Sequence, residues 1–235
     1  EGFKRKGITV TSAQAREPMG MSKWDHIKTL GQMPAIAAQW QEGHGRSFSD
    51  ADVDEMYEAF VPVLLDILPE FAKMIPGCVE TAVFLQEQGI KVAGTTGYFE
   101  EAMDICVQEA AKQGYKPDNT LCATQVSAGR PAPWLIYNVM NQLNVFPPSA
   151  VVKVGDTKPD IQAGLNAGVW TIGVAKTGNE VGLPLEAFEK LPQEEQEART
   201  TKARETLTKE GAHYVIDSVS ELPAILALIE RKLAS

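Results

Sequence analysis

Two carboxylates, Asp156 and Asp160, stand four residues apart directly after an apolar run in the segment VVKVGDTKPD. The run reads as a buried strand that ends in an acidic loop. Carboxylates at such a position can bind Mg²⁺ when a substrate phosphate completes the coordination. They can also be structural, because an aspartate after a strand often caps the following helix. The spacing alone leaves a metal site and a helix cap both open.

Two further segments carry polar groups suited to anion binding. Thr96 and Gly97 follow the apolar segment IKVAG, and Arg130 lies shortly after the segment LCATQV. A hydroxyl and a guanidinium can hold phosphoryl oxygens. Each segment taken singly is more typical of a turn. Taken together with the two carboxylates in this order, they predict a site for phosphoryl chemistry.

The elements that would position these residues alternate between helix and strand from about residue 76 onward. The predicted strands are IKVAGTT, LCATQV, AVVKVGD, VWTIGVA and HYVIDSV, the last at the sheet edge. Short apolar strands that alternate with helices predict an α/β fold with a doubly wound parallel sheet. Ligands bind at the carboxyl ends of the strands in such sheets, so we expect the polar groups to meet there.

The chain before residue 71 shows helical patterns only. We expect one helix capped by Thr11 or Ser12, a second over SKWDHIKTL and a third that begins at Ser49 or Asp50. Residues 177–196 are predicted to form a polar excursion on the surface. The chain is therefore expected to have an all-helical region at 1–70 and an α/β region at 71–235.

Composition excludes several classes of partner. The 235 residues are 44% hydrophobic and 23% charged, with a net charge of −9, which suits a globular enzyme and disfavours nucleic-acid binding. No apolar run approaches the length of a membrane span. The three scattered cysteines indicate reduced thiols, so we expect a cytoplasmic protein with neither a membrane nor a nucleic-acid partner.

The ordered set of polar segments resembles the haloacid dehalogenase (HAD) superfamily of phosphohydrolases. In that superfamily a Thr or Ser, a basic residue and a G-D-x-x-x-D segment follow three successive strands. Thr96, Arg130, Asp156 and Asp160 occupy those places, with Arg in place of the commoner Lys. The resemblance implies a HAD core covered by a helical cap domain. It also implies that Asp156 binds Mg²⁺ and that Asp160 supports it.

The cap narrows the resemblance. The segments REPMGMSKWDHIKTL, GTTGY and GRPAPW are similar to those of the phosphonoacetaldehyde hydrolase family, and the likeness covers essentially the whole chain. Such enzymes hydrolyse the C–P bond of a small phosphonate, giving acetaldehyde and phosphate. The resemblance implies that Lys23 forms a Schiff base with the substrate aldehyde. It places these other residues at the site: Met19, Gly20, His26, Thr96, Gly97, Tyr98 and Arg130.

The chemistry explains why a lysine is needed. Breaking a C–P bond expels a carbanion, unless an iminium at the neighbouring carbon accepts the electron pair. The amine must be neutral to form it, so its pKa must fall. Met19 and Trp24 could desolvate Lys23, and His26 lies on the same helical face to move protons. The alternatives are a solvated lysine, a structural histidine and, for Tyr98, a core residue.

The resemblance also implies a nucleophilic aspartate on a first strand, and the sequence contains no such segment. The opening residues EGFKRKG read as the end of a helix capped by Gly7. We therefore expect a strand and half a helix upstream of residue 1. The resemblance also implies a homodimer formed through the cap. The alternatives are a HAD phosphatase or phosphomutase, which would not use Lys23, and an inactive truncated relic.

Overall fold

The computed structural model describes residues 2–234, so Glu1 and Ser235, the outer ends of the two predicted regions, lie outside the described residues. The elements within residues 2–71 are all helices, as predicted. They are α1 (Gly2–Arg5), α2 (Ser12–Arg16), α3 (Lys23–Gln32), α4 (Pro34–His44) and α5 (Asp50–Phe71). Thr11 and Ser49 cap α2 and α5 as expected. Helix α4 is an addition to the predicted set.

Helices and strands alternate through the rest of the chain, which confirms the predicted α/β class. The elements are α6 (Cys78–Glu87), β1 (Ala93–Thr96), α7 (Glu100–Lys112), β2 (Asn119–Cys122), α8 (Trp134–Gln142), β3 (Val152–Gly155), α9 (Lys158–Asn166), β4 (Trp170–Val174), α10 (Leu185–Phe188), α11 (Gln193–Lys209), β5 (Tyr214–Ile216) and α12 (Leu222–Leu233). The strands are three to five residues long.

The three strand pairs within residues 2–234 are parallel, and they form two separate sheets. One sheet joins β1 to β2, and the other has the order β3-β4-β5, with β5 at the predicted edge. Within residues 2–234, no ladder joins β1 to β3. The expectation of one more strand between them stays a prediction.

The three-stranded sheet is covered by helices on both faces, as a doubly wound sheet requires. Ile172 and Val174 of β4 pack in one cluster with Leu85 of α6 and Ile229 of α12. Ile161 and Leu207 of helices α9 and α11 belong to a second cluster, against which Val215 of β5 packs. Alternate residues of a strand point to opposite faces, so the two clusters lie on the two sides of the sheet.

Helix α5 belongs to both regions of the chain. Its first half sends Met56 into the cluster of the helical region, which also holds Phe3 and Trp40. Its second half sends Leu64 and Leu68 into a cluster of the α/β region. Helix α5 therefore connects the predicted cap to the predicted core through continuous apolar packing.

The predicted polar excursion at 177–196 is wrong. Val181 and Phe188 in that segment are buried, and Phe188 is fully inaccessible to solvent. Both residues pack in the cluster of α9 and α11. Helix α11, which begins at Gln193, is highly polar and buries only Ala203 and Leu207. Two buried residues in seventeen give too weak a periodic pattern to predict.

None of the helices within residues 2–234 combines the length and the apolar character needed to cross a bilayer.

Candidate active site

The two carboxylates that follow β3, Asp156 and Asp160, have different hydrogen-bond partners. The N-cap of α9 is Thr157, whose hydroxyl accepts the N–H of Asp160 at 3.3 Å. Asp156 is therefore not the helix cap that its position allows. Its Oδ2 accepts the N–H of Asn179 at 2.8 Å. Burial raises the pKa of Asp156, and the negative charge of Asp160 adds to the shift.

Asp160 lies at the centre of a buried ionic cluster. Its Oδ1 accepts hydrogen bonds from Arg130 Nη1 and from Lys153 Nζ, the latter at 2.7 Å. Its Oδ2 accepts the hydroxyl of Thr157 at 2.6 Å. Burial opposes ionisation, but the charges of Lys153 and Arg130 prevail and lower the pKa of Asp160. Asp160 thus holds Arg130, the predicted phosphoryl-binding residue, at the carboxyl end of the sheet.

The cap lysine lies at the start of α3. Ser22 caps this helix by accepting the N–H of Asp25 at 3.1 Å, and Lys23 is its first residue. Lys23 Nζ lies 4.8 Å from the centre of the Tyr98 ring, a cation–π contact between the cap and the loop after β1. Burial lowers the pKa of Lys23, and the charge of Arg130 lowers it further. The amine is thereby brought closer to its nucleophilic, neutral form.

His26 lies one turn along the same helix. Burial and the charge of Lys23 lower the pKa of His26 to about 4, against a smaller opposing effect from the backbone of Ala15. Its Nδ1 is buried and has no hydrogen-bond partner within residues 2–234. The imidazole is therefore neutral near pH 7.

The two residues expected to desolvate Lys23 differ in position. Lys23 lines two cavities, one of about 540 Å³ within the helical region and one of about 220 Å³ beside Gly97 and Tyr98. Trp24 lines the smaller cavity and donates its indole N–H to Asp54 at 2.7 Å. Among the described residues, Met19 is not part of either lining; it lies in the turn before α3.

Gly20 and Gly97 lie where the helical region meets the strand ends. A Cβ atom on Gly97 would overlap the carbonyl oxygen of Met21, and one on Gly20 would overlap the hydroxyl of Thr157. Gly20 also has a φ of +93°, which favours glycine. The structure therefore gives both predicted substrate-binding glycines a role in close packing between the two regions.

Thr96 ends β1 and shapes the turn that follows it. Its Oγ1 accepts the N–H of Tyr98 at 3.1 Å, which fixes the backbone that leads to the Tyr98 ring. Burial raises the pKa of Tyr98, and a nearby cysteine, Cys106, adds to the shift, so the phenol stays protonated near Lys23. Thr96 thus organises the loop on which Lys23 rests.

Sequence reasoning missed Lys153 and Asn179. Lys153 lies inside a strand and looked like an interruption of an apolar run, while Asn179 lies in the segment predicted to be surface. A charged residue within a short buried strand was the only signal available for Lys153. Asn179 gave no signal, because its contact with Asp156 is made through the backbone.

Comparison with known proteins identifies the relatives of this chain. A family model described as haloacid dehalogenase-like hydrolase matches residues 2–168, and a second HAD-hydrolase-like model matches residues 127–222. A phosphonoacetaldehyde hydrolase from Bacillus cytotoxicus is 43% identical over 99% of this chain and 88% of its own. One from Bacillus cereus is 41% identical over the same shares. This chain belongs to the phosphonoacetaldehyde hydrolase family.

Solved structures agree with this membership. A phosphonoacetaldehyde hydrolase-like protein from Oleispira antarctica superposes with a TM-score of 0.96 and 41% identity, over 99% of this chain and 84% of that one. A β-phosphoglucomutase from Clostridium difficile has a TM-score of 0.69 at 15% identity, over 100% and 88%, and shares the fold alone. The phosphonoacetaldehyde hydrolase family and the HAD fold are thus both confirmed.

Proposed function

We propose that this chain hydrolyses phosphonoacetaldehyde to acetaldehyde and phosphate. The observation that carries the proposal is the surroundings of Lys23: the side chain is partly buried and rests on Tyr98, and desolvation together with the charge of Arg130 lowers its pKa. A phosphatase would have no use for a primary amine held in this state. The names of the relatives support the same reaction.

Lys23 would attack the substrate aldehyde as a neutral amine, and loss of water would give an iminium. The electron pair of the breaking C–P bond then moves into that iminium and leaves an enamine, which takes up a proton and is hydrolysed to acetaldehyde. The free Nδ1 of His26 is suited to move these protons. Met19 would contribute from the turn before α3. Tyr98 would hold the lysine in place.

Arg130 would bind the phosphoryl group, together with Thr96 and the loop at Gly97. The guanidinium is buried and its Nε has no partner in the part of the chain that the structure describes, so it can donate to a phosphoryl oxygen. Gly20 would shape the cap side of the same site. The phosphoryl acceptor would be an aspartate outside these 235 residues, as the family resemblance implies, and water would then hydrolyse the aspartyl phosphate and release phosphate.

Asp156 would hold Mg²⁺. Its raised pKa marks a carboxylate that lacks a compensating charge, which a cation would supply, and magnesium sites need only one or two protein carboxylates. When bound, Mg²⁺ would neutralise charge on the transferred phosphoryl group. Asp160 already accepts hydrogen bonds from Arg130 and Lys153, so it would support the metal ion only indirectly. Among the described residues, no group of three acidic, His or Cys side chains could hold a metal alone.

Borohydride trapping tests the Schiff base. Incubation of the active enzyme with phosphonoacetaldehyde or acetaldehyde and borohydride should abolish activity and add the reduced aldehyde to the Lys23 peptide, as read by mass spectrometry. Lys23→Arg should keep its circular dichroism spectrum and lose turnover by at least about a thousandfold, because a guanidinium cannot form an imine.

Either of two results would refute this assignment: trapping on another lysine, or appreciable turnover by Lys23→Arg. Turnover of phosphate esters that does not depend on Lys23 would instead indicate a phosphatase or phosphomutase. Absence of any turnover in a protein that carries the acceptor aspartate would indicate an inactive relic.

We also infer a homodimer formed through the cap. Val63, Ile67 and Phe71 recur every four residues on α5 and are 46%, 42% and 73% exposed. Such spacing places them on one face of the helix. An exposed apolar stripe of this kind is typical of a contact surface.

We propose that the cap domain comprises residues 1–70 and the core domain residues 71–235, with α5 as the element that spans both.

A further inference from the structure

Lys153 is a buried charge that the proposed reaction does not use. It lies in β3, and its side chain is only 11% exposed. Its Nζ donates to Asp160 Oδ1 at 2.7 Å and to the carbonyl oxygen of Val154 at 3.0 Å. Burying a lysine is costly even when it is paired, and an apolar residue would suit a buried strand better. A buried lysine beside the candidate site therefore calls for a reason beyond stability.

The acceptor oxygens of Asp160 are shared among three side chains. Oδ2 takes the Thr157 hydroxyl, while Oδ1 takes both Lys153 Nζ and Arg130 Nη1. Arg130 is thus held through a single nitrogen. Its Nε is buried and has no partner among the described residues. A guanidinium beside an unoccupied carboxylate tends to form two parallel hydrogen bonds, so some other group must prevent this here.

We propose that Lys153 is a positioning residue that occupies Asp160, so that one edge of Arg130 stays free for a phosphoryl oxygen. The inference rests on the proposed function for the role of Arg130. Two cations share one carboxylate, so the cluster of Arg130, Lys153 and Asp160 carries a net positive charge. If Lys153 were absent, Asp160 would draw the guanidinium into a paired contact and neutralise it. The phosphoryl-binding site would then lose both a hydrogen-bond donor and a positive charge.

A double-mutant cycle tests this competition. Lys153→Met keeps an unbranched side chain that is one atom shorter and removes the charge and the hydrogen bonds. Inorganic phosphate is the probe, titrated calorimetrically at a fixed Mg²⁺ concentration. We expect Lys153→Met to weaken phosphate binding about tenfold. In an Asp160→Asn background, which lacks the competing carboxylate charge, the same change should weaken it by no more than about threefold.

The side chain of Arg130 supplies a second reading. In ¹⁵N-edited NMR spectra, with the signal assigned by Arg130→Lys, Lys153→Met should slow solvent exchange of the Arg130 Nε–H because it gains a carboxylate acceptor. Thr157→Val frees Oδ2 and should act in the same direction while Lys153 keeps its charge. That variant preserves the test if Lys153→Met fails to fold.

Equal losses of phosphate affinity in both backgrounds would overturn the proposal, since Lys153 would then act as an independent charge or only through folding. An unchanged Arg130 Nε–H signal in both Lys153→Met and Thr157→Val would also overturn it. Neither measurement requires turnover, so a failure of C–P hydrolysis is distinguishable from a failure of this inference.

Discussion

At the scale of single residues, the site depends on charges that shift one another across the boundary between the two regions. Arg130 belongs to the α/β region and Lys23 to the helical region, yet the first lowers the pKa of the second. Lys23 in turn lowers the pKa of His26. The three pKa values are therefore coupled: the charge of Arg130 favours the neutral form of Lys23, and the charge of Lys23 favours the neutral form of His26.

The titration of His26 is a direct test of this coupling. We expect its imidazole to titrate at about 4 in NMR spectra, because burial and the charge of Lys23 both disfavour the imidazolium. Lys23→Met should raise this pKa, and His26→Gln provides the assignment. Because the folded pKa lies below the unfolded value, folding stability should fall as pH drops from about 6.5 toward 4. A midpoint near 6.5 in the native enzyme would contradict the burial described for His26.

Residue types at the strand ends were readable from the sequence, but their partners were not. Thr96, Arg130 and Asp160 follow strands, so the topology of a parallel sheet brings them together. The contact between Arg130 and Lys153 through Asp160 joins residues from two separate segments. Such contacts depend on side-chain direction within packed elements, which periodicity does not specify.

At the scale of elements, the turn before α3 and the loop after β1 meet through backbone atoms. Gly97 has no side chain where the Met21 carbonyl oxygen lies, and Gly20 has none where Thr157 lies. These glycines let the start of α3 approach the strand ends. Lys23, the first residue of that helix, reaches Tyr98 as a result.

Gly97→Ala should separate the two elements. The added methyl group overlaps a backbone oxygen that cannot rotate away, so we expect the cap to move outward and kcat/KM to fall by about a hundredfold. Small-angle scattering should show a larger radius of gyration. Gly43→Ala is the matched control, since a methyl group there meets no atom within 4 Å, and it should leave both readings unchanged. Wild-type kinetics in Gly97→Ala would show that this close approach is dispensable.

Helices with a clear apolar face were predictable, and polar ones were not. Helix α5 has buried residues at helical spacing and a serine cap, and its start lies at one of the two residues predicted. Helix α11 is dominated by Glu, Gln, Lys, Arg and Thr, so its burial of Ala203 and Leu207 left no readable stripe. Tertiary packing, rather than local pattern, decides where such a helix lies.

At the scale of the whole molecule, the apolar stripe on α5 is the candidate dimer contact. Ile67→Glu places a charge in the middle of Val63, Ile67 and Phe71. We expect light scattering after size exclusion to show a dimer for the wild type and a monomer for the variant, because a buried unpaired carboxylate is costly. Leu228→Glu, at a residue of similar exposure on α12, should stay dimeric. A wild-type monomer, or a dimer that survives Ile67→Glu, would contradict this surface.

The division between the two regions was predicted from pattern, because the sequence before residue 71 has helical periodicity only, and the described residues contain no strand before Ala93. The separation of β1 from β3 agrees with the order of the polar residues at the strand ends. It was expected because of the family resemblance, not because of the residues themselves. The sharing of α5 was not predicted. Its sequence shows an apolar face but does not say which neighbour each turn contacts.

Helix α5 has a consequence for how the molecule melts. Met56 packs with the helical region, and Leu64 and Leu68 pack with the α/β region, on one unbroken helix. Loss of either cluster removes the support for half of that helix and weakens the other cluster. We therefore expect the two regions to share one cooperative unfolding unit, so that heat denatures the helical region and the sheet ends together.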